Sequence, residues 1–233
     1  MRELLPGVWH WTAPHPNLGG AHVSSYWLEE SGVLIDPLLP PDGIEWFESR
    51  TNAPSAIVLA NRHHYRDSGR LHERYGVDVH VPAAGMHQFT HGEPVVPYRA
   101  GDQLPGGLTA ISVGGLSPDD SGLYLASAAA LWLADTIVRA PEDPDDPIGW
   151  VVDSLMDDPP ETKRELLAAF RRILDEIAFE NLMLAHGLPL IGDGHLALEE
   201  LVGAGGRTAE RVRLLSPRPE AFPAPRRSSS LRT

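Results

Sequence analysis

The sequence predicts an α/β protein, and three observations lead there. Residues 21–28 and 33–35 are strand-like runs separated by the polar turn Glu29-Glu30-Ser31-Gly32, which is a hairpin signature. Ala56-Ile57-Val58-Leu59-Ala60 is a continuous apolar run, followed by a helix-patterned stretch at 68–75 and a second strand-like run at 77–81. That order is a β-loop-α-β unit whose first strand is buried on both faces. Residues 161–178 place Leu166, Leu167, Phe170, Ile173, Leu174 and Ile177 on one stripe, the pattern of an amphipathic helix packed on a sheet.

The remaining elements follow in order. Residues 7–11 form a short aromatic strand, and Pro41-Asp42 opens a short helix to Phe47. Residues 106–113 pair with 122–125 and 130–133 as strands. The acidic, proline-rich stretch 141–147 reads as a loop. Residues 181–185 form a short apolar strand ending in His186-Gly187, and a last helix covers 196–202. From Ser216 the chain is rich in Pro, Arg and Ser. The expected organisation is therefore one domain over 1–215 and a disordered tail over 216–233.

Composition narrows the function classes. The chain has 233 residues, 42% hydrophobic and 22% charged, enough for a sizeable core. Its formal net charge of −13 disfavours nucleic acid and anionic membrane as partners, because both are held by basic surfaces. A small-molecule substrate or ligand is expected instead, and the oligomeric state is left open. With no cysteine, disulfides, thiolate ligands and a cysteine nucleophile are excluded, so any metal rests on His, Asp and Glu. The opening residues lack an apolar signal core, so the expected location is the cytoplasm.

Three polar clusters fall just after apolar runs: His63-His64 with Asp67, then Asp135, then His186. Imidazole and carboxylate are what zinc or iron accepts when thiolate is absent. Two histidines and a carboxylate on converging strand ends would hold one ion and leave positions for water.

These residues resemble the metallo-β-lactamase-fold superfamily over roughly residues 7 to 205. Gly32-Val33-Leu34-Ile35-Asp36-Pro37 looks like the family's opening hairpin. Val58-Leu59-Ala60 enters the place of its Thr-His-x-His-x-Asp-His motif, Ser117-Pro118 matches the Thr-Pro of its third-histidine loop, Leu133-Ala134-Asp135 resembles the strand that delivers a bridging Asp, and Leu184-Ala185-His186-Gly187 resembles its late His-Gly element. The resemblance implies a four-layer αββα sandwich of two mixed β-sheets flanked by helices, and metal-dependent hydrolysis. The motif departs from the family pattern. Without a gap, its first two histidines fall on Asn61 and His63, and its last two residues on Tyr65 and Arg66. Shifted by two, its Asp falls on Asp67. The third-histidine position falls on Leu116, which binds no metal.

The expected site is therefore degenerate: His63, His64, Asp67, Asp135 and His186 as candidate ligands of at most one zinc or iron ion. Asp135 would orient water, and Tyr65 or Arg66 would meet developing negative charge. Expected function is hydrolysis of a small ester, thioester, lactone or phosphodiester. One alternative is a non-catalytic, metal-free relative that binds a small molecule or protein partner, with the Arg62 guanidinium neutralising Asp135. A third is a non-haem iron redox enzyme. Asp36 is expected to bond backbone amides, Asp119-Asp120 to form a turn overhanging the site, and His15 to be a surface or core residue.

Overall fold

Side-chain alternation along the apolar runs decides how the chain layers. The computed structural model describes residues 1–140 and 146–205. Seven strands form one sheet in chain order: β1 (Arg2–Leu5), β2 (Val8–Pro14), β3 (His22–Leu28), β4 (Val33–Ile35), β5 (Ala56–Val58), β6 (Asp78–Pro82) and β7 (Val95–Tyr98). The first four are joined antiparallel, and β4 to β7 run parallel. Parallel neighbours need crossovers. Helix α1 (Glu45–Glu48) lies between β4 and β5, and α2 (Ser68–Tyr75) lies between β5 and β6.

The second sheet has β8 (Gln103–Leu104), β9 (Leu108–Ser112), β10 (Ser121–Leu125), β11 (Ala130–Val138) and β12 (Gly149–Trp150), with β13 (Asn181–His186) parallel to β11. Helices α3 (Pro159–Glu176) and α4 (Gly194–Gly203) flank β13 in sequence. Pro159 opens α3, and Asp158 caps it by accepting from the Glu161 amide at 3.0 Å.

Alternate residues of each central strand enter different cores. Ile35, Val58, Ala130, Trp132 and Ala134 meet between the sheets. Leu131 and Leu133 turn the other way, onto Leu166, Phe170 and Leu198 of α3 and α4. Leu34 and Ile57 likewise pack outward with Trp46, Phe47 and Leu71 of α1 and α2. The result is helix, sheet, sheet, helix, which is why both faces of the central strands are apolar.

Some details differ from the sequence reading. Strands β1, β7 and β12 were not anticipated; they are short, and β7 carries Pro97 at a sheet edge, where a missing amide is tolerated. Strand β11 does not stop before Asp135 but runs on to Val138. Leu133 pairs with Leu184 while Val138 pairs with His186, so β11 carries extra residues across that interval. Such an irregularity re-aims side chains, and Asp135 lies inside it. Most of the expected loop at 141–147, the domain end at 215 and the tail 216–233 lie outside the described residues. Among the described residues no helix is long and apolar enough to cross a membrane.

Candidate metal centre

The segment after β5 turns sharply because Asn61 caps it. The Asn61 Oδ1 accepts the His63 amide at 2.9 Å, and Arg62–Tyr65 forms a 3-10 turn. Successive side chains of such a turn point about 120° apart. His63 and His64 therefore cannot serve one point together. His64 is buried and turns inward, whereas His63 is exposed at a cavity wall. The Nε2 of His64 lies 2.9 Å from Asp135 Oδ1. Its Nδ1 lies 2.9 Å from Asp36 Oδ2, an ion-pair contact too bent to count as a hydrogen bond.

Strand pairing explains Asp36. Strands β4 and β5 run parallel with Ile35 opposite Val58, so the residue after β4 reaches the turn after β5. Asp36 is 4% exposed, and its Oδ1 accepts the Ala60 amide at 2.9 Å. The sequence reading gave it that backbone role and missed the second oxygen, which faces His64. The parallel pairing of the two strands was the available signal.

The other side of the site comes from the second sheet. His186 ends β13, and its Nε2 lies 3.0 Å from the same Asp135 Oδ1. Gly187 is required there: a Cβ would sit 2.2 Å from the Arg139 carbonyl oxygen, at a φ of +101°. Thus His64, Asp135 and His186 each offer an atom within 4.8 Å of the others. Bonds of about 2 Å to one ion place neighbouring ligand atoms about 3 Å apart, so the spacing and the donor types fit a single zinc or iron ion. Asp36 behind His64 is the arrangement that orients a metal-binding imidazole. His186 Nδ1 has no such partner and is buried.

Electrostatics follow from burial and charge. Burial opposes the His64 imidazolium, but the Asp36 and Asp135 carboxylates outweigh it and raise its pKa to about 9. Asp135 is held well below the usual carboxylate range: burial works against its charge, but the His64 charge and the hydrogen bonds from His186 and His64 prevail. Asp120 is buried beside it, and burial together with the Asp135 charge pushes its pKa up to about 8.

The remaining candidates do not join the three-residue group. Asp67 spends its carboxylate elsewhere, accepting the Leu39 amide at 2.8 Å and facing Arg70 at 3.3 Å. The Tyr65 ring packs on Phe89 at 5.7 Å and its hydroxyl lies against Gly69. Arg62 does not neutralise Asp135: it pairs with Asp119 and donates to Ser117 Oγ at 3.0 Å. The Asp119-Asp120 turn is thus buried and anchored rather than overhanging. Arg66 has φ 42° and ψ −117°, a conformation that costs a non-glycine residue about 1–3 kcal/mol. Its Nη1 donates to the carbonyls of Ser24 at 2.7 Å and Asp36 at 2.6 Å. His15, read from sequence as a surface or core residue, lines the cavity with Leu116. The cavity holds about 650 Å³.

No family model and no curated protein matches the sequence. Solved structures do share the fold. A metallo-β-lactamase family protein from Thermus thermophilus superposes with a TM-score of 0.59 at 20% identity, over 87% of this chain and 80% of that one. A metallo-β-lactamase from Pontibacter korlensis gives 0.61 at 17% identity, over 87% and 97%. A variant flavo di-iron protein from Thermotoga maritima gives 0.61 at 15% identity over 88% of this chain, which spans 61% of that protein. Proteins of this architecture thus include metallo-β-lactamases and flavo di-iron proteins. With two mixed sheets and helices on both outer faces, the chain has the metallo-β-lactamase fold.

Proposed function

We propose that the protein is a metal-dependent hydrolase with a single ion held by His64, Asp135 and His186, acting on a small ester, thioester, lactone or phosphodiester. One observation supports this above all. Three donor atoms from three distant segments meet in the wall of a cavity, with His64 Nε2 and His186 Nε2 at 2.9 and 3.0 Å from one carboxylate oxygen. A bound ion would lower the pKa of a water and polarise a carbonyl or phosphoryl oxygen. The chain's own residues prepare the rest. Asp36 holds the Nδ1 side of His64, so that Nε2 can present its lone pair once the proton is lost. Asp135 gives Oδ1 to both imidazoles and keeps Oδ2 for the proton of a water. The 3-10 turn and Gly187 hold the two imidazoles in register.

A second reading is a metal-free relative that binds a small molecule. It is favoured by the His64 imidazolium, which sits between Asp36 and Asp135 and offsets their charge without an ion.

Metal analysis separates these readings. Protein purified without chelator and reconstituted with zinc, iron or manganese is expected to retain a single equivalent, and His186→Ala to lose it. Zinc retention with turnover of an ester or phosphodiester panel supports hydrolysis, whereas iron retention with oxygen uptake moves the assignment to a redox enzyme. Retention of no metal overturns the hydrolase reading in favour of the binder.

A further inference from the structure

Arg66 is anchored at one end of its guanidinium only. Nη1 holds the carbonyls of Ser24 and Asp36. Nε is buried without a partner, and Nη2 makes no hydrogen bond among the described residues. In a guanidinium the Nε–H and Nη2–H bonds point the same way, giving two parallel donors that match two oxygens of a carboxylate or phosphate. The paired edge is therefore the one without a hydrogen-bond partner among the described residues. A buried N–H without a partner is costly, and the backbone of Arg66 has a φ of 42°, a strained value for a residue with a side chain.

The surroundings carry the same sign. Arg66 lines the same cavity as Asp135 and His186. Five of the chain's 11 histidines line it, with Arg62 and Arg66, against the carboxylates of Asp135 and Glu93, although the whole chain has a net charge of −13. Two of these charges are already matched: Arg62 by Asp119, and Asp135 by His64. Arg66 has no carboxylate in hydrogen-bonding contact among the described residues. Asp36 and Asp135 lie close enough to favour its charge, yet neither takes the Nε/Nη2 edge, so that edge can still receive an oxyanion.

We propose that the Nε/Nη2 edge of Arg66 is the receptor for one oxyanion, carboxylate or phosphoryl, carried by the molecule that occupies this cavity. Read with the hydrolase assignment, on which the word substrate rests, the substrate is an anionic ester, thioester, lactone or phosphodiester and not a neutral one. Arg66 then grips a charge the substrate brings with it. The oxyanion site itself needs no ion.

The test uses metal-free protein, so that no ion can bind the probe. Wild-type protein is titrated with sodium acetate and with sodium phosphate against sodium chloride at matched ionic strength, and binding is followed by calorimetry and by the Arg66 Nε–H resonance. Saturable binding of acetate or phosphate, with that resonance moving along the same curve, is expected. Binding should weaken at least tenfold in Arg66→Lys, which keeps the charge and loses the fork, and in Arg66→Gly, whose backbone adopts φ 42° freely. Acetate alone marks a carboxylate receptor and phosphate alone a phosphoryl receptor. Absence of saturable binding by both anions overturns the proposal, as does unchanged affinity in a folded variant. A wild-type resonance that does not move overturns it even where the variants fail to fold. Metal retention is measured separately, so loss of the hydrolase reading leaves this result standing, and the reverse.

Discussion

Replacing Asp36 by asparagine separates the two tasks of that carboxylate. Its Oδ1 accepts the Ala60 amide at 2.9 Å, while its Oδ2 faces His64 Nδ1 at 2.9 Å. Asparagine keeps a carbonyl oxygen for Ala60 and tolerates the φ of 48° at this position, so the backbone is supported, and above about pH 9, where His64 is uncharged and its pairing with Asp36 no longer counts, stability should change by less than about 1 kcal/mol. What is lost is the negative charge behind His64. Removing such a partner of a metal-binding histidine lowers metal affinity about 10–100-fold. Asp36→Ala loses both tasks. It orphans a buried amide, which costs about 1–3 kcal/mol, in addition to the loss of affinity. Zinc affinity by competition with a chelator and stability by urea unfolding give the two readouts for each variant. If Asp36→Asn binds zinc as wild type does, or if stability and affinity fall together in both variants, Asp36 supports only the backbone and the argument fails.

Two other outcomes follow from the same geometry. In metal-free protein the His64 pKa stands at about 9, against 6.5 in an unfolded chain. A raised histidine contributes its stability fully below about pH 6.5 and loses it as pH rises through about 9, and Asp120, raised to about 8 from 3.8, weakens the fold with rising pH over an overlapping range. The urea midpoint should therefore fall between pH 6.5 and 9, and a flat profile there in metal-free protein would contradict the charge arrangement around His64. Gly187→Ala places a Cβ 2.2 Å from the Arg139 carbonyl oxygen at a φ of +101°. It should cost more than about 4 kcal/mol or prevent folding. A thermal midpoint within a few degrees of wild type, with metal retained, would show that the His186-Gly187 turn relaxes freely.

How much of this was legible in advance depends on the range over which each feature is encoded. Helix α2 begins and ends where residues 68–75 were expected, because its pattern and the left-handed Gly76 that stops it are local. The apolar runs at 56–60 and 130–133 were recognisable as strands for the same reason. Their alternation already holds the double-sided burial that makes four layers, since Ala130 and Trp132 face one way and Leu131 and Leu133 the other. Asp135 and His186 could be singled out because each closes or follows an apolar run. The choice between His63 and His64 could not be made that way. It depends on the capped turn at Asn61 and on where Asp135 lies, 71 residues from His64. Asp36 joins the site through the pairing of β4 with β5, and Asp135 turns toward His186 through the irregular pairing of β11 with β13. Residue type and local periodicity name the groups able to do the chemistry. Which of them share a point in space, and which edge of Arg66 stays open, is set by strand pairings whose partners are far apart along the chain.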